Sequence, residues 1–152
     1  MLTLQELSDR REIDDLLAAY CHAIDSHDWD ALDQVFTPDA IIDYEECGGP
    51  RGIFPEIKTF LAERLPDFVY KQHIVSTSLI TLNGDRASGR TTCTNPMGLR
   101  EAGGSIRQMS FHLWYIDEFV RTPEGWRIAH RREQLSHTVD VPWAADLPAN
   151  PR

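Results

Sequence analysis

The chain is short of positive charge. Fifteen lysines and arginines face 24 aspartates and glutamates, a net charge of −9. Nucleic acid and anionic membrane surfaces both demand clustered basic side chains, so neither is expected as a partner. Cysteine is scarce too: Cys21, Cys47 and Cys93 are odd in number and widely spaced. Without a Cys-x-x-Cys or Cys/His ligand spacing, they argue against a disulfide framework and a structural zinc site. His22, His27, His130 and His137 show no ligand spacing either, so no metal or other cofactor is expected. The N-terminal stretch MLTLQELSDRRE is polar, lacking the apolar run of a signal peptide or membrane span. A cytoplasmic protein is the expectation. Also missing are a phosphate-binding glycine loop, a dinucleotide fingerprint, a nucleophile elbow, internal repeats and low-complexity tracts.

What is present fits one domain of 152 residues, with 41% hydrophobic and 26% charged content, enough to bury one core. Ile13, Leu16, Leu17, Tyr20, Cys21 and Ile24 recur at helical spacing and predict a long helix from Thr3 to about Asp25. Thr3 followed by Glu6 is a capping-box signature. Ser26 or Asp28 can cap a second, short helix over 29–36, stopped by Thr37-Pro38-Asp39. A short strand follows at 40–44, a loop at Cys47-Gly48-Gly49-Pro50, and a helix from Phe54 to about Leu65. Strands then dominate. Segments 69–82 and 86–94 flank the hairpin signal Asn83-Gly84. Segments 106–121 and 126–135 flank Thr122-Pro123-Glu124-Gly125. Helices first and long strands after make the fold class α+β. A strongly bent sheet, mixed or antiparallel, wrapped around the first helix would form a cone-shaped barrel with a pocket at its open end. Residues 1–138 read as this domain. Residues 139–152, with three prolines, read as an irregular tail.

Two residue types could do chemistry without a cofactor. Asp25 borders the apolar stripe near the predicted helix C-terminus, where the helix dipole disfavours a carboxylate unless a donor answers it. By spacing alone it reads first as a turn aspartate bonding local backbone. His73 shares a strand side with Val75, Thr77 and Leu79. It reads either as a core histidine or as a base, since imidazole titrates near neutrality. Tyr20 lies on the main stripe, as a core aromatic or as a hydroxyl donor to substrate oxygen. In strand 126–135, Trp126, Ile128, His130 and Arg132 share one face, and Arg127, Ala129, Arg131 and Glu133 the other. Either Arg131 or Arg132 could face a pocket, or pair with Asp117 or Glu133 on the sheet.

Four segments carry a likeness to a known family: REIDDLLAAYCHAIDSHDWDALDQVFTPDAIIDY at 11–44, KQHIVSTSLI at 71–80, WYIDEFVR at 114–121 and GWRIAHRR at 125–132. The chain resembles the SnoaL-like domains of the nuclear transport factor 2-like superfamily. The nearest likeness is to the branch of scytalone dehydratase, bile acid 7α-dehydratase and hexachlorocyclohexane dehydrochlorinase. That resemblance implies a catalytic Asp25–His73 dyad, with Tyr20 and Arg131 stabilising developing negative charge. Trp29, Phe54, Thr77, His112 and Trp114 are expected along the substrate pocket. Two departures stand out. Segment 90–94 lacks the second active-site histidine of scytalone dehydratase, and Thr77 stands where many relatives carry asparagine. The family spans dehydratases, dehydrohalogenases, isomerases and non-catalytic members, so fold does not fix activity. The implied function is a cofactor-independent lyase or isomerase, dehydratase-like, acting on a small apolar cyclic or polyketide-like molecule. The alternative is a non-catalytic small-molecule-binding module. The resemblance further implies a homodimer or homotrimer.

Overall fold

The computed structural model describes residues 1–141. The first helix, α1, spans Leu4–Ser26 and buries the predicted stripe, with Ile13, Tyr20 and Ile24 almost without exposure. Its capping box forms as expected: the Glu6 N–H donates to the Thr3 hydroxyl at 3.1 Å, and the Thr3 N–H to the Glu6 carboxylate at 2.7 Å. His27 ends the helix in the left-handed region, φ 61°, bonding the carbonyls of Ala23 and Ile24. Asp28 then accepts from the Ala31 N–H at the start of a short 3-10 helix, Asp30–Gln34.

Strand β1 covers Phe36–Asp43 and pairs antiparallel with a short β2, Arg51–Ile53. Helix α2 follows at Phe54–Arg64. Four longer strands complete the sheet with a short one before them: β3 Phe68–Lys71, β4 Ile74–Asn83, β5 Arg86–Arg100, β6 Ile106–Thr122 and β7 Gly125–Val141. The order is β2-β1-β7-β6-β5-β3, with β4 also on β5. Only β1 and β7 run parallel; the other pairs are antiparallel, so the sheet is mixed. It is open and curved, with α1 across its concave face. Asp9, buried on α1, accepts from the Trp126 indole at 3.3 Å and pairs with Arg121 at 2.7 Å, which anchors the helix to β6 and β7. Among the described residues no helix is long and apolar enough to cross a membrane.

Three departures from the sequence reading matter for the site. The expected single strand 69–82 is interrupted at Gln72 and His73, so that β3 pairs with the far end of β5 and β4 with its near end. Ala129 on β7 is an extra residue, because Glu118 opposes His130 and Phe119 opposes Ile128. Such a bulge reverses side-chain parity: Trp126 and Ile128 are buried before it, Arg131 after it. The simple alternation expected for this strand therefore fails, since Trp126 and Arg131 face the same interior. Finally, β7 continues beyond residue 138, pairing Val139, Asp140 and Val141 with Ser110, Met109 and Gln108. The remainder of the expected tail, 142–152, lies outside the described residues.

Candidate active site

The break between β3 and β4 is what brings His73 to α1. Its backbone N–H leaves the ladder and donates to Asp25 Oδ2 at 2.9 Å, while its ring Nδ1 meets Oδ1 at 2.6 Å. One carboxylate thus holds both backbone and ring of the same residue. The His73 side chain is 6% exposed and that of Asp25 24%. Burial pushes the Asp25 pKa up, but the ring bond, the backbone bond and the charges of His73 and nearby Lys71 outweigh it and hold it below the usual carboxylate value. These donors answer the unfavourable dipole at the helix C-terminus. An ionised Asp25 can only accept, so Nδ1 carries a proton, and in the neutral ring Nε2 has the lone pair. Asn95 Nδ2 lies 3.0 Å from Nε2.

His73 forms part of the wall of a cavity of about 190 Å³. Tyr20, Tyr44, Cys47, Arg64, Asn95 and Glu133 supply its other polar groups, and Phe60, Leu61, Phe68, Met97, Phe111 and Leu113 much of its apolar surface. The Tyr20 and Tyr44 hydroxyls share a hydrogen bond of 3.0 Å. Burial raises both phenol pKa values well above their ordinary range, so both are neutral donors. A small, mostly apolar hollow with a few convergent polar groups suits one small molecule.

Arg131 is placed differently from the sequence expectation. Its side chain is 0% exposed and gives Nε and Nη2 to Asp117 at 2.8 and 2.7 Å. The guanidinium lies between the rings of Tyr20 and Tyr115, 4.2 and 4.0 Å from their centroids. It supports Tyr20 from behind and is not part of the cavity wall. Arg132 pairs with Glu46 at the surface.

The five expected pocket residues also lie off that wall. Trp29 stacks on His27, and Phe54 packs against Phe36 in the core. Thr77 sits at a bulge in β4 with φ 48° and points its hydroxyl at Thr92. His112 stacks on His137, and Trp114 lies under the Arg90 guanidinium. For His112 and Trp114 the cause is parity: on β6 it is Phe111 and Leu113 that reach the cavity, with Leu113 and Tyr115 buried. Among the described residues no three metal-binding side chains come together.

Tyr44, Asn95 and Glu133 escaped the sequence reading. Two had a signal. Ala40, Ile42 and Tyr44 alternate as one buried face of β1, and Thr91, Cys93, Asn95 and Met97 as one buried face of β5. A polar residue on a buried face is a candidate site group. Glu133 had none, because the bulge at Ala129 sets which way it faces.

The sequence profile of the SnoaL-like domain matches residues 5–132. Uncharacterized proteins of Mycobacterium tuberculosis and Mycobacterium bovis are each 47% identical over 133 residues, covering 88% of this chain and 89% of theirs. Among solved structures, the hexachlorocyclohexane dehydrochlorinase LinA-type3 of Novosphingobium barchaimii superposes with a TM-score of 0.81 at 17% identity, over 96% of this chain and 99% of that one. A protein of Novosphingobium aromaticivorans provisionally named a scytalone dehydratase gives 0.81 at 18% identity, over 99% of each chain. At such identity these likenesses speak for the fold. The profile match spans most of the chain and the architecture agrees with it: this protein belongs to the SnoaL-like family and has the nuclear transport factor 2-like cone fold.

Proposed function

We propose that the protein is a cofactor-independent lyase or isomerase in which Asp25 and His73 form a general base. The carrying observation is that one carboxylate grips both the backbone N–H and ring Nδ1 of His73 while the residue lines a mostly apolar cavity. His73 Nε2 would take a proton from a carbon beside a carbonyl or a leaving group, and the freed electron pair forms the double bond. Asp25 holds the tautomer and stabilises the imidazolium. Tyr20, hydrogen-bonded to Tyr44 and braced by Arg131, would donate to a carbonyl or leaving oxygen. The apolar wall favours a small cyclic or polyketide-like substrate. A homodimer or homotrimer in the cytoplasm completes this reading; exposed Ile74 and Leu79 on β4 offer apolar surface to a second copy.

The test is a thermal-shift screen of small cyclic hydroxy- and halo-carbonyl compounds, followed by product analysis. Turnover of a stabilising compound, lost in His73→Ala and Asp25→Asn with the fold retained, is the expected outcome. Ordinary turnover by either variant refutes the dyad.

One observation favours a binding module instead. Asn95 already occupies the lone pair that a base must use. That reading expects ligands to bind and be recovered unchanged at every pH.

A further inference from the structure

Glu133 is a second ionisable group on the cavity wall, distinct from the dyad. It lies on β7 opposite Tyr115 of β6 and lines the same hollow as His73. Its charged and titratable surroundings are Arg131 on its own strand, Tyr115 and Asp117 on β6, Cys93 on β5, Tyr20 on α1, Asp43 and Tyr44 from β1 and its end, and Cys47 with Glu46 from the following turn, with Arg64 of α2 elsewhere on the cavity wall. The balance leaves the carboxyl without a cation of its own. Arg131 has given Nε and Nη2 to Asp117. The remaining direct partner is the Cys47 thiol, a weak donor. Burial raises the Glu133 pKa to about 7, although Cys47 and Arg131 pull it down. Near neutrality a large share of molecules therefore hold a proton there.

We propose that Glu133 is a catalytic general acid that hands its proton to the departing group while His73 removes the carbon-bound proton. This rests on the base assigned to His73 above. The step balances: the C–H bond breaks as Nε2–H forms, and the C–H electron pair becomes the C=C bond. The C–X bond breaks with its pair going to X, and X–H forms as the Glu133 O–H breaks. Solvent then reprotonates the carboxylate and takes the imidazolium proton, so the sum is loss of HX with no oxidation or reduction. Halide leaves without a proton, whereas hydroxide does not leave at neutral pH unless protonated. An acid on the wall of the hollow thus points to the dehydration of alcohols over dehydrohalogenation.

The test uses two base-triggered eliminations of one shape, benzisoxazole and 5-nitrobenzisoxazole. Both lose a ring C–H and open the N–O bond, but the nitro compound releases a far better leaving oxygen. Glu133→Gln should lower kcat/KM for benzisoxazole at least about tenfold more than for the nitro compound, because general-acid help typically supplies about 10²–10⁴-fold where it is needed. The ratio of the two rates does not depend on the folded fraction of the variant. An unchanged ratio, with both reactions abolished by His73→Ala, overturns the acid and leaves the base standing. Wild-type rates no higher than those of His73→Ala on both compounds overturn both. Infrared difference spectra give an independent reading: a protonated carboxyl band that vanishes as pH passes about 7 should be missing from Glu133→Gln, and its persistence there overturns the assignment.

Discussion

Asn95 donates its side-chain amide to His73 Nε2 across 3.0 Å, from a buried position on β5. The nitrogen assigned to the proton transfer is therefore engaged. The Asn95 Oδ1 on the other side of the same amide is buried with no partner.

Removing that donor should release the base. A net hydrogen bond is worth about 1 kcal/mol, or about fivefold in a rate limited by freeing the lone pair. Asn95→Ala is expected to raise kcat/KM for 5-nitrobenzisoxazole by about that factor, measured by stopped-flow absorbance. A fall would mean that Asn95 orients the bound molecule instead.

Asp25→Asn should lower the same rate by about 10²-fold or more, since the amide cannot hold the imidazolium. It should also change stability with pH in a defined direction. The folded Asp25 pKa lies below its ordinary 3.8, so its contribution is present above that value and lost as pH falls through the folded one. Thermal melts from pH 5 down to 2 should show a weaker acid slope in Asp25→Asn than in the wild type.

Glu133 has the opposite sign. Its folded pKa of about 7 exceeds the ordinary 4.5, so stability is fully present below pH 4.5 and declines as pH rises through 7. Glu133→Gln should abolish that decline. The variant should gain on the order of 1–3 kcal/mol over the wild type at pH 8 relative to pH 4, by urea unfolding at each pH. Parallel pH curves would mean that the carboxyl meets water.

The buried pair behind Tyr20 should behave non-additively. Asp117→Asn or Arg131→Met alone leaves an uncompensated buried charge or a broken network, at a cost of about 3–5 kcal/mol. Asp117→Leu combined with Arg131→Met removes both charges and should recover much of that loss. Chemical denaturation of the four proteins measures the coupling. The double variant should still bind cavity ligands weakly, because the Tyr20 ring has lost its brace.

Much of the architecture was legible in local spacing. The α1 stripe, the Thr3–Glu6 box and the β4–β5 hairpin are written in intervals of three or four residues, in alternation and in turn chemistry, and each appears in the structure, although the turn itself is Gly84-Asp85, one residue later than expected, because Asn83 still pairs with Arg86. Asp25 and His73 were likewise found as residues, through the family likeness. Their bonding was not. It depends on a two-residue break in a segment whose sequence reads as one strand. The pocket wall fared worse: Trp29, Phe54, Thr77, His112 and Trp114 all lie off it, whereas Phe60, Phe111 and Leu113 lie on it.

By itself, then, the order of residues determined the element types, the acidic surface and the two positions, Asp25 and His73, that place a carboxylate beside an imidazole. The tertiary structure decided which groups share the hollow. The physical reason is that strand alternation has a period of two, so one unpaired residue, Ala129, turns the side chains after it over, as far as a second irregularity at Ser136, and sends Arg131 and Glu133 inward. Whether a bulge forms there depends on the partner strand and the helix across it, and neither lies within reach of a local pattern.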